Sequence, residues 1–142
     1  MSSNTSISTL VSDRIGLALS GNPILDDDFN SLALQIFEHQ YQKNRAYQNF
    51  CLALEISPDR TNHWHDIPAL PTEAFKIEPF PLVTFPMEQA KTTFLTSGTT
   101  TEARGMHYFR STKLYDHSIV SAWHELNLPD ARRSVFLIAH PE

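Results

Sequence analysis

The sequence predicts an α/β fold, and three observations carry that expectation. Two stretches within the first 54 residues repeat apolar side chains at helical spacing. Two short pieces, "TTFLT" and "GMHYF", face each other across a polar turn within residues 92–109 and predict a β-hairpin. An unbroken apolar run at residues 134–139, "SVFLIA", has the length and composition of a strand buried on both faces. The 142 residues are 41% hydrophobic and 19% charged, which is globular composition and enough chain for one core.

The leading segment, 1–26, holds a short helix over 8–20, with Val11, Ile15 and Leu19 at four-residue spacing and "GNP" stopping it. A longer helix is expected over 27–54. Asp27 or Asp28 caps it, and Phe29, Leu32, Ile36, Phe37, Tyr41, Tyr47 and Phe50 fall mostly on one face. Cys51 lies beside Phe50 on that helix and reads as a small buried hydrophobe rather than a nucleophile.

Residues 55–91 form a proline-rich connection. Six of the nine prolines fall there, at 58, 68, 71, 79, 81 and 86, so long helices are excluded. Within it, "PLVTFP" has strand length and fits a sheet edge. His63 and His65 in "HWH" are a possible metal pair, but no third ligand stands at a recognisable spacing, which favours a surface loop. After the hairpin at 92–109, residues 111–139 supply a helix and then the buried strand. The helix begins near Ser111 or Thr112 and carries Tyr115, Ile119, Ala122, Trp123 and Leu126 on one face, with His117 and His124 on its polar side. A strand buried on both faces needs neighbours and covering layers that the earlier elements are too few to provide, so the sequence reads as the front part of a larger domain.

Charge and cysteine usage narrow the function. A formal net charge of -5 offers no general attraction to nucleic acid or to an anionic membrane. The single cysteine excludes an internal disulfide framework and fits a reducing compartment, and no secretory leader or membrane-length apolar run is present. A cytoplasmic protein is expected.

The chemistry points to the hairpin tip, where five hydroxyl side chains occupy six residues: Thr96, Ser97, Thr99, Thr100 and Thr101. Gly98 and Gly105, two of only four glycines, let the backbone approach a ligand closely, and Arg104 supplies a guanidinium fork that suits phosphate oxygens. A Walker P-loop is excluded, because Met106 stands where lysine would be needed. Composition alone supports equally a Ser/Thr-rich turn that satisfies its own backbone.

The segment "TSGTTTEARG" resembles the phosphate-binding signature of the acyl-adenylate-forming synthetases, T-S-G-[ST]-T-G-x-P-K-G. Thr96, Ser97, Gly98, Thr99, Thr100 and Gly105 match it. Arg104 replaces the lysine with charge kept, whereas Thr101 and Ala103 depart from the middle glycine and the proline. "IPALPTEAFK" upstream, "NRAYQNFC" before it and "GMHYF" after the loop look like the acyl-protein synthetase (LuxE-like) branch and its phenylacetate-CoA ligase relatives.

This resemblance implies the N-terminal part of an adenylate-forming large domain. It also implies activation of a carboxylic acid, in this branch a fatty acid, as acyl-AMP at the expense of ATP with Mg2+, followed by transfer to a thiol. The acceptor is a protein cysteine or coenzyme A, and an acyl reductase is a candidate partner. Thr96, Ser97, Gly98, Thr99, Thr100, Thr101, Arg104 and Gly105 would bind the phosphates, and His107 would approach the acyl or adenylate group. The resemblance also implies an adenine pocket, an acidic magnesium motif, an acyl tunnel and a small C-terminal domain with a catalytic lysine, none of which has a counterpart in the 142 residues, so the chain alone is expected to be inactive. The competing expectations are a CoA-ligase fragment and a non-catalytic binding or assembly module.

Overall fold

A computed structural model describes residues 6–76, 81–96 and 104–126. Among these the chain is helix-rich, with one small antiparallel sheet, an arrangement compatible with the α/β class. The expected strand at 134–139 lies outside the described residues, as do positions 97–103 of the hairpin tip.

Helix α1 runs Ile7–Leu19. The Ser6 hydroxyl accepts from the Thr9 N–H at 3.2 Å, satisfying one of the first-turn donors that a helix leaves unpaired. The helix ends where Gly21 takes a left-handed φ of 81°, a conformation that glycine adopts without a Cβ penalty. An Arg14–Asp28 ion pair at 3.2 Å joins α1 to the following helix.

The helix expected over 27–54 is two helices, α2 (Asp26–Lys43) and α3 (Arg45–Ala53), broken at Asn44. Asn44 adopts extended dihedrals (φ -107°, ψ 100°), and its Oδ1 accepts from the Tyr47 N–H at 3.1 Å. A short amide side chain competes with the backbone for its own donors, and here it ends one helix and caps the next. Neither Asp27 nor Asp28 caps α2. Leu25 occupies the cap position without a side-chain bond, and Asp26, Asp27 and Asp28 fill the first turn, where their charge favours the positive end of the helix dipole.

The break has a packing consequence. It folds α3 against α2 so that Phe37, Tyr47 and Cys51 form the buried core, with Tyr41, Phe50, Ile56, Ile67 and Leu70 packed around them. The Tyr47 ring meets Phe37 edge-on at 6.0 Å, and its hydroxyl donates to the Pro68 carbonyl at 2.7 Å. That bond ties the proline-rich connection to the core. Burying a side chain such as Phe37 is worth about 1.5–3 kcal/mol.

Between residues 57 and 90 the described chain forms only short 3-10 turns, at Pro58–Arg60, Trp64–Asp66, Thr72–Lys76 and Met87–Gln89. "PLVTFP" is not a strand. The Val83 N–H turns back onto the Pro81 carbonyl at 3.0 Å, and neither flanking proline has an N–H for a ladder.

Strands β1 (Thr92–Leu95) and β2 (Met106–Phe109) pair as expected, with Thr92 opposite Phe109 and Leu95 opposite Met106. Lys91 N–H to the Phe109 carbonyl (2.8 Å) and Thr96 N–H to the Gly105 carbonyl (3.0 Å) extend the ladder at each end. One face carries Phe94 and Phe109, whose rings lie 4.9 Å apart and both meet Tyr115 of helix α4 (Lys113–Glu125). Thr112 starts α4 with its carbonyl on the Asp116 N–H (2.8 Å), while its hydroxyl donates to the Asp116 carboxylate (3.0 Å). The expected apolar stripe of α4 is partly exposed, Tyr115 at 45% and Ile119 at 47%. His117 is not on a free polar side: its Nδ1 lies 3.1 Å from the Ser12 hydroxyl of α1, because α1 packs along that face.

Candidate functional site: the mouth of the hydroxyl-rich hairpin

The hairpin is rooted by a reciprocal pair. Thr96 donates its N–H to the Gly105 carbonyl, and Gly105 donates its N–H to the Thr96 hydroxyl at 2.9 Å. Both bonds cross between the two ends of the tip, so the eight residues between them leave a closed neck. The Thr96 hydroxyl is thus an acceptor for the protein's own backbone, and its O–H proton stays available to donate outward.

Gly105 stands where its neighbours approach closely. A Cβ there would meet the Thr96 side chain at 3.3 Å and the Phe75 Cβ at 3.4 Å. Phe75 belongs to the Thr72–Lys76 turn, and its ring also packs on His107 at 4.2 Å between centroids. The proline-rich connection therefore buttresses the hairpin directly below its tip. Sequence reasoning did not single out Phe75, although it stands inside the quoted "IPALPTEAFK".

The structure places three of the eight expected phosphate-binding residues, Thr96, Arg104 and Gly105, and brings them together at the neck. Ser97, Gly98, Thr99, Thr100 and Thr101 lie outside the described residues. Arg104 is exposed beside the neck and has no ion-pair partner among the described residues. His107 sits on β2, half-buried against Phe75, two residues beyond Gly105 and on the same face of the strand.

Two other groups of chemistry-bearing side chains lie away from the hairpin. His63 and His65 stack in parallel at 4.9 Å, and the His65 N–H donates to His63 Nδ1 at 3.3 Å. Asn30 of α2 brackets this turn, donating to the Asn62 carbonyl (3.1 Å) and accepting from the Trp64 N–H (2.7 Å). Among the described residues no group of three or more His, Cys, Asp or Glu could hold a metal ion, so magnesium is assigned no residue here. Cys51 is fully buried, and burial raises its thiol above the ordinary range. Burial, followed by the neighbouring Cys51, likewise raises the Tyr47 phenol.

Beside the hairpin lies an open cleft of about 740 Å³, walled by α2, the proline-rich connection and Tyr108 of β2. Among the described residues no helix is long and apolar enough to cross a membrane. A family model described as acyl-protein synthetase, LuxE, matches residues 1–110, which takes in the whole hairpin and its tip. No curated protein and no solved structure matches the chain.

Proposed function

Since the chain belongs to the acyl-protein synthetase (LuxE) family, we propose that its hairpin tip grips the β- and γ-phosphates of ATP while a fatty carboxylate is activated. The observation that carries this reading is the neck: Thr96 and Gly105 lock the two ends of a hydroxyl-rich tip and leave Arg104 exposed beside it. A turn that only satisfied its own backbone would have no need of an exposed guanidinium, with no ion-pair partner among the described residues, at that point.

The chemistry runs in two steps. A carboxylate oxygen attacks the α-phosphorus, a new P–O bond forms, and the bond to pyrophosphate breaks, giving acyl-AMP. A thiol then attacks the acyl carbon, and AMP leaves as the thioester forms. Charge gathers on pyrophosphate in the first step, where hydroxyl donors from Ser97, Thr99 and Thr100 and the Arg104 guanidinium stabilise it. His107, held against Phe75, stays on the strand leading from the tip, where an acyl or adenylate group would pass. The acceptor thiol is not Cys51, which is 0% exposed and whose thiolate is disfavoured by burial.

The test is equilibrium binding of ATP, with inorganic triphosphate as competitor. Charge-assisted hydrogen bonds are worth about 1.5–3 kcal/mol, so Arg104→Ala should weaken ATP roughly tenfold to over a hundredfold. An unchanged ATP affinity in that variant would overturn the phosphate-loop assignment.

A further inference from the structure

We propose that a second cleft, at the foot of the hairpin, binds the phosphate group of a small organic phosphomonoester. The site goes beyond the triphosphate reading and does not rest on it: Arg110, in its lining, follows Gly105 by five residues, roughly 17 Å along an extended strand.

The cleft encloses about 530 Å³, within the roughly 300–1,000 Å³ of small-molecule sites, and lies between α1, the foot of the hairpin and the start of α4. Arg110 and Lys113 bring two positive charges to it in a chain of formal net charge -5. Neither has an ion-pair partner among the described residues. Arg110 donates to the neutral Gln89 Oε1 at 3.3 Å, and its guanidinium carbon stands 5.7 Å from the centre of the Phe85 ring. These contacts position the side chain without neutralising it. Lys113 opens α4, where the helix dipole repels a cation, so the fold itself gains nothing from that charge.

Hydroxyls of Ser8, Thr9, Ser12 and Ser111 complete the polar wall. The Ser111 oxygen accepts from the Lys113 N–H at 3.4 Å, which leaves its own proton to donate. Ser8 and Thr9 share the Ser6 hydroxyl (2.9 and 2.8 Å), and Ser12 meets His117 Nδ1 (3.1 Å). Hydroxyl protons rotate, so these pairs can turn a donor toward an anion. Two cations and several donors match the three acceptor oxygens of a phosphate better than the two of a carboxylate. Phe85, Tyr108 and Phe109 give the remaining wall an aromatic surface, which a bare phosphate would leave unused and a flat organic group would cover. Asp13 is the one acid in the lining among the described residues, and its charge opposes an anion.

Titration of the isotopically labelled full chain with phenyl phosphate should give saturable amide shifts on residues 8–13 and 110–114, with an affinity that falls as salt rises. Inorganic phosphate should move the same amides with roughly tenfold lower affinity, since it forgoes the aromatic wall. Arg110→Gln and Lys113→Gln together should weaken phenyl phosphate by roughly tenfold or more. Asp13→Asn, which removes the opposing charge, should tighten it. All three side chains are exposed, so the variants keep the fold. No saturable shift at those residues, equal affinity for inorganic phosphate, or binding unchanged in the double variant would overturn the proposal. Failure of the triphosphate reading would register separately, as unchanged ATP affinity in Arg104→Ala.

Discussion

A methyl group at position 105 would sit 3.3 Å from the Thr96 side chain, tighter than ordinary contact, and 3.4 Å from Phe75 Cβ. Gly105→Ala should therefore destabilise the chain by about 1–3 kcal/mol, read as a lower urea midpoint, because overpacking forces the neck apart. Thr96→Val removes the acceptor of the buried Gly105 N–H and should cost a similar ~1–3 kcal/mol, whereas Thr96→Ser, which keeps the oxygen, should recover most of it.

The buried Tyr47–Cys51 pair gives a pH signature. Both groups are raised, so the native state holds protons that the unfolded chain releases. Their contribution is complete below the unfolded thiol's range of about 8.5 and is lost as pH rises through the native value. The stability difference between the parent and Cys51→Ala should thus be constant from pH 6 to about 8 and shrink above it; a difference that grows with pH would contradict the burial. The burial of Cys51 was legible from its place beside Phe50 on an amphipathic face. The role of Gly105 was legible only in part: its rarity marked the turn, but the contact with Phe75 depends on a segment 30 positions away in the chain.

Helix boundaries were the features that local sequence hid. The apolar repeat continues through Asn44, so periodicity alone reads a single helix, and only the Asn44–Tyr47 cap reveals two. Asn44→Ala should cost about 1 kcal/mol or more, since the cap is buried and Tyr47 and Cys51 depend on the angle it sets; thermal unfolding measures it. At the other end of α3, Glu55 adopts a left-handed φ of 58°, while the Ile56 N–H bonds to the Cys51 carbonyl at 3.0 Å. A side chain is strained there, so Glu55→Gly is expected to raise stability by up to about 1 kcal/mol. By contrast, α1, the two hairpin strands and the start of α4 were legible, because helical spacing stopped by "GNP", two apolar pieces about a polar turn, and Ser111 or Thr112 mark them in turn. The piece "PLVTFP" was not, because strand length between prolines does not distinguish a paired strand from a chain that bends onto itself.

At the scale of the molecule, the elements converge on the hairpin. The α2–α3 core anchors the proline-rich connection through Tyr47 and Pro68, the connection places Phe75 under the neck, and α4 backs the other end of the sheet through Tyr115. Membership of the acyl-protein synthetase family was legible in the hydroxyl-rich tip and its flanks; the cleft was not, since its walls come from residues 33 to 108 and share no sequence pattern. The central claim is that the tip binds the triphosphate, and amide chemical shifts of the isotopically labelled chain test it most directly. On addition of ATP, and equally of inorganic triphosphate, the largest shifts should fall on residues 97–105, with those shifts reduced in Arg104→Ala. Shifts centred elsewhere, or none in the tip at millimolar ATP, would contradict the account.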